Sequence, residues 1–130
     1  MSAGGIVGKT DPFQQEALAE AEADLSAGIL HVDTMLDAMF EQASKGEPIT
    51  QEQRLEFRRN QVRAGQRVLD SVDRVYKKAG SAAAWTTFPL ERYWRDLRTG
   101  GSHICNVTDT AYTSWANFAF QTGGPINTTH

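Results

Sequence analysis

The sequence predicts an all-α fold, an antiparallel, up-and-down four-helix bundle, and three observations carry that prediction. Apolar residues recur at spacings of three and four along two long stretches. Helix-start and helix-stop residues bracket those stretches. No stretch sustains the alternation of apolar and polar residues that marks a strand.

The first helix is expected to start at Asp11, whose side chain suits a cap, followed by Pro12, whose missing N–H costs nothing at the first helical position. Phe13, Ala17, Ala21, Leu25, Gly28, Ile29, Val32, Leu36 and Met39 then give the helical period, and the helix ends near Ser44–Lys45–Gly46, with Pro48 just beyond. The second helix opens with Thr50–Gln51–Glu52–Gln53, a capping box in which Thr50 and Gln53 satisfy each other's free backbone donors. Its buried stripe is Leu55, Val62, Leu69, Val72, Tyr76 and Ala79, and Gly80 ends it. Two long helices joined by a short connection pack antiparallel. A third segment runs from Leu90 to about Thr99, where Gly100–Gly101 interrupts it: two glycines inside a helix cost roughly 2 kcal/mol relative to alanine. Thr108 or Asp109 caps a fourth, shorter helix through Tyr112, Trp115, Ala116 and Phe120. The expected organisation is a disordered lead over residues 1–10, a bundle domain over 11–120 and a tail over 121–130.

The chain has 130 residues, the size of one domain, with 40% hydrophobic and 22% charged residues, close to ordinary globular usage. A net charge of -3 gives no basic surplus for nucleic acid. A single cysteine, Cys105, excludes an internal disulfide framework and a cysteine-based zinc site. No apolar run reaches the roughly 18 residues of a membrane span. The first ten residues lack the basic start and apolar stretch of a secretory leader, so a cytoplasmic location is expected. Charge is segregated between the long helices. Eight acids and no Lys or Arg lie between Asp11 and Ser44, whereas six Arg and two Lys face three acids between Arg54 and Lys78. This supports pairing of the two helices, although each exposed ion pair is worth under about 1 kcal/mol.

Several small motifs reduce to plain readings. Gly8–Lys9–Thr10 resembles the end of a phosphate-binding loop, but the glycine required five positions earlier is Ala3, and no strand precedes it. Asn106–Val107–Thr108 and Asn127–Thr128–Thr129 fit the glycosylation pattern and read as chance matches without a leader. His31 reads as a helix-surface or satisfied core histidine, and Cys105 as a small buried residue.

The segment Phe88–His103 carries the chemistry. At 100° per residue, Arg95, Asp96, Thr99 and His103 fall within about 60° of Arg92, with Leu90, Tyr93, Trp94 and Leu97 opposite. A merely solvated face would favour Lys and Glu, whereas Arg and His suit bound anions and proton transfer. Gly80–Ser81–Ala82, Pro89–Leu90–Glu91–Arg92, Arg95–Asp96 and His103 together resemble the C-terminal domain of the acyl-CoA-dehydrogenase-fold flavin monooxygenases, the oxygenase components of two-component systems that hydroxylate phenols and related aromatics. The resemblance runs from about Pro12 to Phe120, and the histidine seven residues after the Arg–Asp pair points to the monooxygenase branch.

The resemblance implies a bundle that, in the family, follows an N-terminal helical domain and a β-domain that this chain lacks. It implies FMN or FAD shared with a partner, and either a homo-oligomer (dimer or tetramer) or a partner subunit that brings the missing domains. His103 would be the catalytic residue at the reacting flavin edge or a base toward a phenol, Arg95 and Ser81 would contact the cofactor, and Asp96 would be structural. The expected substrate pocket is Trp85, Phe88, Arg92, Tyr93, Tyr112 and Trp115, beside His103. Three functions remain open on the sequence: a bundle subunit of a flavin-dependent oxygenase acting on an aromatic or polyketide-like substrate, a flavin-free oligomerisation module, and a cofactor-independent binder or enzyme using that aromatic pocket.

Overall fold

The computed structural model describes residues 11–79, 89–103 and 108–128. Its four helices are α1 (Pro12–Ser44), α2 (Gln51–Ala79), α3 (Pro89–Gly101) and α4 (Thr108–Ala119), and there is no strand among the described residues. The chain is an all-α, up-and-down helical bundle, as its sequence predicts.

The local signals act as the chemistry requires. Asp11 Oδ1 accepts the Phe13 N–H at 3.0 Å, and Pro12 occupies the first turn. The Thr50 N–H donates to Gln53 Oε1 at 2.9 Å while the Gln53 N–H donates to Thr50 Oγ1 at 3.1 Å, which is the complete capping box. Gln53 also donates across the turn to Gln42 Oε1 at 2.6 Å, and Gln42 donates to the Pro48 carbonyl at 2.8 Å. The α1–α2 connection is therefore fixed at both ends by amides. Gly46 sits at φ +77, the left-handed conformation that closes α1.

The long pair is antiparallel: Gln42 meets Gln53 at one end, Gly28 meets Ala64 in the middle, and Arg74 reaches Glu20 and Asp24 at the other. α1 buries only Ala17, Ala21 and Gly28, so its backbone lies close to α2. α2 is the central element, and the principal helix–helix packing of α1, α3 and α4 is against it. Leu55 and Val62, both fully enclosed, form its core face. Burial of one such side chain stabilises the fold by about 2 kcal/mol.

Two boundaries differ from expectation. α3 continues through Gly100 and ends at Gly101. Gly101 packs against α2 there: a Cβ on it would lie 2.6 Å from Leu69 Cδ1, so a larger residue would have to displace the Leu69 side chain. The residues after α4 also depart from a simple tail. Asn127 N–H donates to Ser114 Oγ at 2.9 Å and Asn117 Nδ2 donates to the Pro125 carbonyl at 2.8 Å, folding this stretch back along the helix. The expected lead over residues 1–10 lies outside the described residues.

Candidate functional site

α3 is anchored to α2 by one carboxylate. Asp73 Oδ1 accepts Trp94 Nε1–H at 2.7 Å and Arg98 Nη2–H at 2.5 Å, and its other oxygen lies 3.2 Å from Lys77 Nζ. The Trp94 ring stacks on Tyr76, with centroids 4.6 Å apart and planes 11° from parallel, and the Arg98 guanidinium lies 5.4 Å from the Trp94 ring centroid. The hydrogen bonds from Arg98 and then Trp94 hold the Asp73 carboxyl well below the ordinary range, against the opposing effect of burial. The anchor turns Trp94 and Leu97 toward α2 and leaves Arg92, Tyr93, Arg95, Asp96 and Thr99 exposed or on the cleft edge.

The predicted polar face therefore exists, and it is open to solvent. Arg92 Nε lies 3.7 Å from Asp96 Oδ2, a loose exposed pair. Asp96 pairs within its own helix and edges a groove between α2 and α3, while the carboxylate that ties α3 to α2 is Asp73. That groove, about 240 Å³, is lined by Gly65, Gln66, Val68, Leu69, Asp96, Leu97, Gly100 and Gly101. His103 follows α3 directly. Its N–H donates to the Gly100 carbonyl at 3.2 Å, one residue past the matching Ser102–Thr99 bond, and its side chain is exposed.

The structure does not gather the expected aromatic pocket into one site. Tyr112 and Trp115 line a separate cleft of about 490 Å³ between α2 and α4, with Arg59, Asn60, Arg63 and Ala116. Tyr93 projects from the opposite, exposed side of α3, because Trp94 and Leu97 take the positions against α2. Tyr93, Arg92 and His103 line neither cleft. Ser81, Trp85, Phe88 and Cys105 lie outside the described residues.

Sequence reasoning missed the groups that shape the α2–α4 cleft. Arg59 is held at 4.4 Å from the Trp115 ring centroid and donates to Asn60 Oδ1 at 2.9 Å. Asn60 is buried and in turn donates to Met35 Sδ at 2.8 Å and lies 3.2 Å from His31 Nε2, so His31 is a surface residue with a polar partner. Asn60 lies on the side of α2 away from Leu55 and Val62, two residues before Val62, so the apolar stripe gave no signal of its burial. The Tyr112 hydroxyl is buried without a hydrogen-bond partner among the described residues. No group of three or more His, Cys, Asp and Glu among the described residues could hold a metal ion, and no helix among them is long and apolar enough to cross a membrane.

The candidate site thus lies in an all-helical domain whose third helix exposes Arg92, Arg95 and Arg98. The pattern of the family described as the acyl-CoA dehydrogenase C-terminal domain matches residues 7–108, and the chain belongs to that family. Its relatives lie in the monooxygenase branch. It is 34% identical over 112 residues to a pigment production hydroxylase of Rhodococcus erythropolis, covering 86% of this chain and 28% of that protein. It is 34% identical over 125 residues to the oxygenase subunit HsaA of a flavin-dependent monooxygenase of Rhodococcus jostii, covering 96% of this chain and 32% of that protein. The crystal structure of the HsaA monooxygenase from M. tuberculosis superposes with a TM-score of 0.83 at 32% identity, covering 92% of this chain and 30% of that one. The chain thus spans about a third of the length of the relatives it matches.

Proposed function

We propose that this chain is the helical part of a flavin-dependent oxygenase that hydroxylates an aromatic substrate, and that it completes a site whose flavin-binding domains lie outside these 130 residues. The observation that carries the reading is the match of nearly the whole chain to about a third of flavin-dependent oxygenase subunits, at 33–34% identity. The described residues fit an edge contact with a flavin and lack an enclosing pocket for one. Arg92 and Arg95 offer an exposed cationic edge suited to a phosphate, and the Tyr93 ring beside them is largely exposed.

A reduced flavin, when bound, supplies the electrons that activate dioxygen. His103 accepts the phenol proton at its imidazole, as a general base. Arg95 would hold the anionic end of the cofactor, and Asp96 pairs loosely with Arg92 along the same edge. Asp73 fixes the direction of α3 through Trp94 and Arg98, and so sets where this edge points.

The test is complementation. The R. jostii oxygenase subunit, truncated before its bundle, is mixed with this chain, reduced flavin and a phenol. The reading predicts substrate-dependent hydroxylation that falls by about 10²-fold or more in His103→Ala, since that is the typical contribution of a general base. Equal turnover by His103→Ala contradicts the role of that residue, and no flavin retention by the mixture contradicts the reading as a whole. A second reading, a cofactor-independent binder of aromatic ligands, is favoured by the cleft around Trp115, whose 490 Å³ lies within the range of small-molecule sites. It predicts ligand binding by the chain alone that is lost in Trp115→Ala and kept in His103→Ala.

A further inference from the structure

The cleft between α2 and α4 is lined by cations and aromatic rings. Arg59 and Arg63 stand one turn apart on α2, so their side chains share a face. Tyr112, Trp115 and Ala116 line it from α4 at helical spacing, and Asn60 completes the lining. No acid lines the cleft, so its two guanidiniums have no carboxylate among the groups that face them there.

Arg59 is held in place by its neighbours. Its Nε–H donates to Asn60 Oδ1 at 2.9 Å, and its guanidinium carbon lies 4.4 Å from the Trp115 ring centroid. Asn60, 6% exposed, is in turn tied to α1, where its Nδ2 donates to Met35 Sδ at 2.8 Å and lies 3.2 Å from His31 Nε2. With Nε used in this way, the Nη groups are left to bind an anion. Arg59 Nη2 lies 3.6 Å from Glu56 Oε1, a loose pair within one helix whose acid is 47% exposed. Arg63 is exposed and makes no ion pair among the described residues.

The two parts of the lining select a ligand class. Aromatic side chains take a planar ring, and the guanidinium fork matches the planar geometry of a carboxylate. The volume of about 490 Å³ falls within the range of small-molecule sites. We propose that the α2–α4 cleft binds an aromatic carboxylate, with the ring on the Tyr112 and Trp115 side and the carboxylate on Arg59 and Arg63. None of Arg92, Arg95 and His103 lines this cleft, and it shares no lining residue with the α2–α3 groove, so the ligand is held apart from the α3 edge. The assignment rests on the second reading above, that the cleft takes aromatic ligands, and names their charge and the residues that recognise it.

The test is isothermal titration calorimetry of the full chain, without flavin, with naphthoate and with its uncharged analogue naphthalenemethanol. Naphthoate is expected to bind at least about 10-fold more tightly, the factor expected of a hydrogen bond to a charged group. Arg63→Gln is expected to lose about 10-fold for naphthoate and to leave naphthalenemethanol within about 2-fold, with unchanged far-UV circular dichroism, because Arg63 already faces water. Trp115→Ala is expected to weaken both ligands. Equal binding of the two ligands overturns the proposal and leaves the cleft as an aromatic site. Naphthoate affinity undiminished by Arg63→Gln also overturns it, as does affinity lost in Arg95→Gln, which would put the ligand on the α3 edge. Absence of naphthoate binding at millimolar concentration overturns it too, and if naphthalenemethanol also fails to bind, the aromatic reading of the cleft falls with it. None of these results bears on flavin retention in the complementation test.

Discussion

Along α1 and α2 the helices meet through small side chains, with Ala17, Ala21 and Gly28 buried and Gly28 against Ala64, and with caps and amide pairs at the turn. α3 meets α2 through large and polar groups: a Tyr–Trp stack, an Arg over an indole, and one carboxylate that receives both. The first junction gives close backbone approach over a long distance and is spread over many weak contacts. The second is concentrated in a few groups, and a single change there can move the helix that bears Arg92, Arg95 and His103. Scaffold and candidate site thus sit on the same central helix but depend on different chemistry.

The largest expected effect tests whether α2 is common to both halves. Val62 is fully enclosed, and Val62→Asp places an unpaired carboxylate there. It should destabilise the chain by at least about 3 kcal/mol, and urea unfolding followed by far-UV circular dichroism should show both halves lost in one transition. Loss of only one half would separate them.

Asp73→Asn tests the concentrated junction. It removes the charge that receives Trp94 and Arg98, and hydrogen bonds to charged groups are worth about 1.5–3 kcal/mol. The loss should be about 2 kcal/mol, seen as a red-shifted Trp94 emission with α1 and α2 intact. The pH dependence has a definite sign. The folded carboxyl is depressed, so its contribution is fully present above the ordinary aspartate value of about 4 and is lost as pH falls below it. The wild-type chain should therefore release Trp94 on acidification below about pH 4, and Asp73→Asn should lack that step.

The two glycine contacts sharpen the comparison with smaller effects of opposite sign. Gly101→Ala must displace Leu69, whose Cδ1 lies 2.6 Å from the new Cβ, and should cost about 1 kcal/mol after the gain in helix propensity. Gly28→Ala meets Ala64 Cβ at 3.6 Å, an ordinary contact, and should stabilise by up to about 1 kcal/mol. Thermal melts of the two variants check both signs.

How much was legible follows the same division. The long pair was readable because its signals are local: the Asp11–Pro12 start, the Thr50–Gln53 box and the 3–4 apolar spacing each act within one or two turns. Propensity alone placed the end of α3 at Thr99, and tertiary packing of Gly101 on Leu69 overrode it. The charge segregation pointed to pairing, yet the cross-pair bridges that form are those of Arg74 to Glu20 and Asp24. The Asp73 anchor was not legible, because its partners lie 21 and 25 residues away on another helix and no local spacing encodes that meeting. The aromatic residues were grouped in one pocket because they are close in sequence. Side-chain direction around α3 separates Tyr93 from Tyr112 and Trp115.

The most direct test of the account is the visible absorption spectrum and native mass of the purified chain with FMN or FAD, taken alone and again with the truncated oxygenase subunit. The account predicts no retained flavin in the chain alone and a yellow complex of both polypeptides when they are combined. Stoichiometric flavin on the chain alone, or a colourless mixture with no complex, would contradict it.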